Sequence, residues 1–110
     1  MDAKTLFTEK LPTALKDSPE KAREIDAIYL FNVSGGKGGT WSVDCKSDPP
    51  AVNEGAVGAA DCTIDVADTD LETLLDNPQL AIQLFFQGKI KVSGDPVLAT
   101  KLGTLFGIGG

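Results

Sequence analysis

The sequence predicts an α+β fold in which helices cover one side of a mostly antiparallel sheet. Two observations carry this. Several stretches alternate apolar and polar side chains with period two, as strands with one buried face do. Between and around them lie helix starts of one kind, a capping residue followed by proline: Ser18-Pro19, Asn77-Pro78 and Asp95-Pro96. Strands that each keep one more polar face need helices on only one side.

Taken in order, Phe7, Leu11, Ala14 and Leu15 recur at helical spacing, and Pro12 inside them predicts a kink or two short pieces. Ser18-Pro19 opens a helix over 19–25. A strand from Ala27 to Ser34 puts Tyr29, Phe31 and Val33 on one face. Gly35 to Gly39 follows; it lacks the spacing and following helix of a phosphate loop and reads as a flexible hairpin connection. The next strand, Thr40 to Lys46, sets Trp41, Val43 and Cys45 against Ser42, Asp44 and Lys46. A further strand is expected near Ala51 to Val57. Asp61 to Val66 alternates again through Cys62, Ile64 and Val66. Thr69-Asp70-Leu71-Glu72 reads as a capping box opening a helix over 70–76. Asn77-Pro78 starts a helix over 78–87. Lys89 to Ser93 is a strand with Ile90 and Val92 on one side and both lysines on the other. Asp95-Pro96 starts a last helix over 96–106.

With 110 residues the chain makes one domain, 1–110, large enough for a core without staples. No stretch reaches the ~20 apolar residues of a membrane span, and Lys4, Glu9 and Lys10 interrupt any signal-peptide core. The net charge is −6, and between Ser47 and Gly88 stand eight acids and no base. Nucleic acid is disfavoured as a partner, since phosphate binding needs a basic footprint. The acids read as a solvated surface or as a docking face for a basic partner. Cys45 and Cys62 lie in alternating strands, as small buried hydrophobes or, alternatively, as a disulfide or reactive thiol. Their spacing fits no zinc motif. With no histidine, neither a Ser-His nor a Cys-His pair can form within the chain. No metal, cofactor or catalytic residue is expected.

Three features point to binding chemistry. From Asn77 to Gly88 there is no charged residue, and a helix without a charged face is expected to be buried on more than one side, against core or an apolar cavity. Ala81, Ile82, Phe85 and Phe86 form one arc, Leu80 and Leu84 another, with Gln79, Gln83 and Gln87 as a neutral polar stripe between them. Gln87 either caps backbone or faces water, or it offers a hydrogen bond to a ligand oxygen at a cavity wall. In the tail, Leu98, Leu102, Leu105 and Phe106 share a helical face punctuated by glycine, as the end of the core or as a displaceable lid. Arg23, the single arginine, makes either a surface ion pair or a two-pronged contact to an anionic head group.

Five segments appear in an order that resembles the sterol carrier protein 2 family: Tyr29 to Val33 with its glycine turn, Thr40 to Lys46, Ala60 to Ile64, Ala67 to Asp70, and Phe85 to Gly94. The resemblance implies a five-stranded, mostly antiparallel (mixed) sheet with helices on one face, enclosing an apolar tunnel. It further implies a non-catalytic carrier that binds long-chain fatty acid, fatty acyl-coenzyme A or sterol and promotes lipid transfer between membranes. Carried over by position, the tunnel is bordered by Leu11, Leu15, Ile25, Leu74, Ile82, Phe86, Leu102, Leu105 and Phe106, with Arg23 and Gln87 as polar contacts. Many members end in a peroxisomal Ser-Lys-Leu address, whereas this sequence ends Ile108-Gly109-Gly110. The expected location is cytoplasmic, and peroxisomal only if the native C-terminus is truncated. The expected carrier is a monomer that touches membranes transiently. A sixteen-carbon chain buried at ~0.8 kcal/mol per methylene gains on the order of 10 kcal/mol gross. Binding costs reduce this to micromolar affinity or better. Two other readings stand beside the carrier: an accessory module presenting acyl-coenzyme A to a partner oxidation enzyme, and a small enzyme using Asp44 or Asp65.

Overall fold

The computed structural model describes residues 3–36, 38–47, 50–55 and 60–95, with Val97, Leu98, Lys101 and Leu105. Five strands form one sheet: β1 (Ile28–Ser34), β2 (Gly39–Asp44), β3 (Ala51–Glu54), β4 (Cys62–Ala67) and β5 (Ile90–Gly94), in the order β3-β2-β1-β4-β5. β1 is central. It runs antiparallel to β2, Phe31 facing Trp41, and parallel to β4, Asn32 facing Asp65. The outer pairs, β2 with β3 and β4 with β5, are antiparallel. The expected mixed sheet therefore contains a single parallel pair among the described strands.

The alternation resolves into two faces. Tyr29, Phe31, Val33, Trp41, Val43, Cys62, Ile64, Val66 and Ile90 are buried under the helices. Asn32, Thr40, Thr63, Asp65, Lys91 and Ser93 occupy the opposite phase, on the open face. The end of β2 is trimmed by its own side chain. Asp44 Oδ1 accepts the amides of Lys46 (2.9 Å) and Ser47 (3.0 Å), which turns the chain out of the sheet before Lys46.

The N-terminal helical run comprises α1 (Ala3–Thr5), a π-helical turn (Leu6–Lys10) and α2 (Leu11–Asp17). The run is in short pieces, as expected, but the break falls before Leu11 rather than at Pro12. A proline ring crowds the carbonyl one α-turn back and donates no amide. Here the wider turn, in which the Leu11 amide donates to the Leu6 carbonyl, delivers Pro12 into the first turn of α2. The Thr13 hydroxyl donates to the Glu9 carbonyl at 2.7 Å. α3 (Pro19–Ile25) starts at the predicted proline and ends at Asp26, whose φ of 49° is left-handed.

β4 passes directly into α4 (Asp68–Asp76). The expected capping box at Thr69 does not form, because Ala67 ends the strand and starts the helix in one step. Asp68 Oδ1 instead accepts the Thr69 amide at 2.8 Å. The helix predicted over 78–87 is a 3-10 turn (Pro78–Leu80) followed by α5 (Ala81–Phe86). After β5, Asp95 Oδ1 accepts the Val97 amide at 2.9 Å, the cap expected there. Most of the predicted last helix lies outside the described residues, but Leu98 and Leu105 are buried in the core.

Candidate functional site

Five of the expected wall residues meet. Leu11 and Leu15 from α2, Ile25 from α3, Leu74 from α4 and Leu105 from the tail belong to one buried cluster between helices and sheet. Their neighbours are aromatic. Phe7, placed by the π-helical turn, stacks on Trp41 with ring centroids 4.9 Å apart and tilts against Phe31 at 5.1 Å. Tyr29 stacks on Phe31 at 5.7 Å and donates its hydroxyl to the Leu98 carbonyl at 2.7 Å. That bond ties the tail to the centre of the sheet. Trp41 Nε1 is buried and has no hydrogen-bond partner among the described residues.

The remaining expected residues lie elsewhere. Ile82, Phe86 and Gln87 are exposed on and just after α5. The inference that a charge-free helix is buried on more than one side therefore fails. α5 is six residues long and packs inward through Leu84, while Phe86 is 81% exposed and Ile82 50%. Arg23 is exposed on α3, in a cleft of about 420 Å³ shared with Glu20, Glu24, Asp26, Cys45 and Lys46. Gln87 lines neither that cleft nor the larger one on the open face. Leu102 and Phe106 lie outside the described residues.

The larger cleft, about 750 Å³, was not anticipated. It sits where β1 and β4 end, between Asn32, Thr40, Asp65, Asp70, Lys89 and Lys91. Inside it the Asn32 amide donates to Asp65 Oδ1 at 2.9 Å, and the Thr40 hydroxyl donates to Asn32 Oδ1 at 3.3 Å. The polar phase of these residues was visible in the sequence. Their convergence depends on the parallel register of β1 with β4, which has no local signal.

Two carboxylates are held by neighbouring donors. The Ser47 hydroxyl, with the Ser47 and Lys46 amides, holds the Asp44 carboxyl below its ordinary range. Asp61 is lowered by the Ile28 amide, 3.0 Å away, and by Lys46, whose Nζ lies 3.1 Å from Oδ2. Cys45 and Cys62 are free and buried, which removes the disulfide alternative. Burial pushes their thiols up to about 12 and about 11. Among the described residues no cluster of His, Cys, Asp or Glu is placed to hold a metal ion, and no helix is long and apolar enough to cross a membrane.

The SCP-2 sterol transfer family matches residues 8–107. Sterol carrier protein 2 of Bos taurus is 40% identical over 107 residues, which is 91% of this chain and 19% of that protein. Peroxisomal multifunctional enzyme A of Dictyostelium discoideum is 32% identical over 106 residues, 94% of this chain and 24% of that one. The chain thus spans about a fifth to a quarter of these relatives' length. Among solved structures, palmitated SCP2L2 from Aedes aegypti superposes with a TM-score of 0.73 at 26% identity, covering 97% of this chain and 96% of that one. The mixed sheet, its one-sided helical cover and the ordered sequence match lead to one conclusion: this chain belongs to the SCP-2 sterol transfer family.

Proposed function

We propose that this chain is a non-catalytic intracellular carrier, acting as a monomer, that binds a long-chain lipid between its helical layer and its sheet. The ligand class is fatty acid, fatty acyl-coenzyme A or sterol. The observation that carries this reading is the meeting of Leu11, Leu15, Ile25, Leu74 and Leu105, drawn from four separate parts of the chain, in one apolar cluster. A hydrocarbon chain inserted among such residues leaves water without any reacting group, and each buried methylene contributes ~0.8 kcal/mol. We assign Ile82, Phe86, Leu102 and Phe106 to the same proposed wall. Arg23 and Gln87 are the proposed head-group contacts, a guanidinium and an amide suited to a carboxylate or hydroxyl. The palmitated state of the Aedes aegypti relative supports a fatty acid as one such ligand. Two free buried cysteines fit a reducing, cytoplasmic compartment.

A second reading is favoured by the match to peroxisomal multifunctional enzyme A. On this reading the chain is an accessory module that presents an acyl-coenzyme A to a partner enzyme. Both readings need the same pocket. Displacement of a fluorescent fatty acid by unlabelled palmitate tests it. Saturable one-to-one displacement is expected, and no saturable binding of any long-chain lipid removes both. Acceleration of a partner enzyme's turnover at fixed acyl-coenzyme A favours the accessory module.

A further inference from the structure

We propose that the exposed stripe on α5 is the face with which this protein docks on a bilayer containing anionic phospholipid. Ile82, Phe85 and Phe86 make the stripe, three and four residues apart and so on adjoining turns. They are 50%, 38% and 81% exposed. The two phenylalanine rings meet edge-on with centroids 5.7 Å apart, which fuses them into one patch. The helix already packs inward through Leu84, so the fold does not require the outer rings. Contiguous exposed apolar surface of this kind marks a contact face.

Charge selects the partner. Residues 77–88 carry no formal charge, so no ion on α5 is dehydrated when it sinks to head-group level. The first bases after Ser47 follow at once: Lys89 and Lys91, both exposed. The Lys89 amide donates to the Leu84 carbonyl at 3.0 Å, which holds this lysine against the end of the helix. Lys91 stands opposite Asp65 in the ladder, which offsets part of its charge, so Lys89 contributes more. The chain as a whole is anionic at −6. Asp65 and Asp70 line the same cleft as the two lysines, so the attraction to an anionic bilayer rests chiefly on Lys89, next to the end of the stripe. Exposed aromatics flanked by lysines are the combination that binds at a lipid interface. The inference rests on the carrier reading for its purpose and adds the face through which a carrier meets its donor membrane.

Flotation of the full chain with vesicles of phosphatidylcholine, with and without phosphatidylserine, tests it. Wild type floats with the serine-containing vesicles. Phe86→Ser lowers partitioning about tenfold, the loss of one phenylalanine from the interface. Ile82→Gln gives an independent loss, and circular dichroism confirms that both variants fold. The double variant Lys89→Gln/Lys91→Gln loses about fivefold or more toward serine-containing vesicles only, while its fatty-acid binding in solution is unchanged. Wild type that stays unbound, or Phe86→Ser that floats like wild type, overturns the proposal. So does a concentration-dependent dimer that Phe86→Ser abolishes without change in flotation, since the stripe is then a contact between copies. Failure of wild type to bind fluorescent fatty acid without vesicles is a separate result, against the carrier reading.

Discussion

Replacing Tyr29 with phenylalanine removes one oxygen from the centre of the molecule and leaves the ring stacked on Phe31. The hydroxyl is the donor to the Leu98 carbonyl at 2.7 Å, with Tyr29 fully buried. A phenylalanine ring carries nothing to replace that donor; the Leu98 carbonyl keeps the Lys101 amide at 3.1 Å, so the loss is that of one net hydrogen bond, about 0.5–1.5 kcal/mol. At ~2.1 cal/mol/K per residue for a domain of this size, each kcal/mol lowers Tm by about 4 °C, so Tyr29→Phe melts about 2–6 °C lower. Urea unfolding followed through Trp41, the single tryptophan, measures the free energy. The loss also has an address. Leu98 precedes the Lys101 and Leu105 amide bonds of the tail, so amide exchange rises at those two positions before it rises in β1 or β4. Alkaline pH supplies a third readout. Burial, with Cys62 and Cys45 adding to it, pushes the Tyr29 hydroxyl far above its ordinary 10.0. A folded-state value above the unfolded one means this stability is complete below pH 10 and is lost as pH rises beyond it. Tyr29→Phe removes that part of the alkaline decline. A variant as stable as wild type, with unchanged tail exchange, refutes the role assigned to this bond.

Three further outcomes follow from the same contacts. Phe7→Ala empties a site packed against Trp41 and Phe31 and costs about 3–5 kcal/mol in chemical denaturation, with a changed Trp41 emission spectrum. Asp26→Gly relieves a left-handed φ of 49° at the end of α3 and gains up to about 1 kcal/mol, read as a higher urea midpoint. Asp44 and Asp61 are held below their ordinary 3.8, so their stabilisation is fully present above that pH and is lost as pH falls below it, through their lowered folded-state values. Asp44→Ala and Asp61→Ala are therefore destabilised near neutrality in urea unfolding, and the difference from wild type shrinks as pH falls further below 3.8.

The parts legible in the sequence were those written locally. The alternation of Tyr29, Phe31 and Val33 fixes which face of β1 is buried, and the buried residues of the structure follow it. Asp95 caps the tail as its position before proline implies. Local rules failed where a neighbour overrode them. Thr69 has capping chemistry, but β4 runs into α4 with no loop, so the first turn is used up earlier. Pro12 is a helix breaker unless the preceding turn widens, which no residue type announces. Absence of charge in residues 77–88 fits a buried helix and an exposed apolar stripe equally, and only the packing of Leu84 separates them. The cleft between Asn32 and Asp65 depends on two strands 33 positions apart choosing a parallel register, a decision made by the whole sheet. For the site, the sequence named the five leucine and isoleucine positions that converge, and it assigned Ile82 and Phe86 a burial they do not have.

A titration of isotopically labelled protein with palmitate, read at leucine and isoleucine methyl groups, tests the central claim most directly. The carrier account predicts saturable shifts at Leu11, Leu15, Ile25, Leu74 and Leu105, complete near one palmitate per chain. Shifts confined to exposed Ile82, or unsaturated shifts spread over the surface, contradict it.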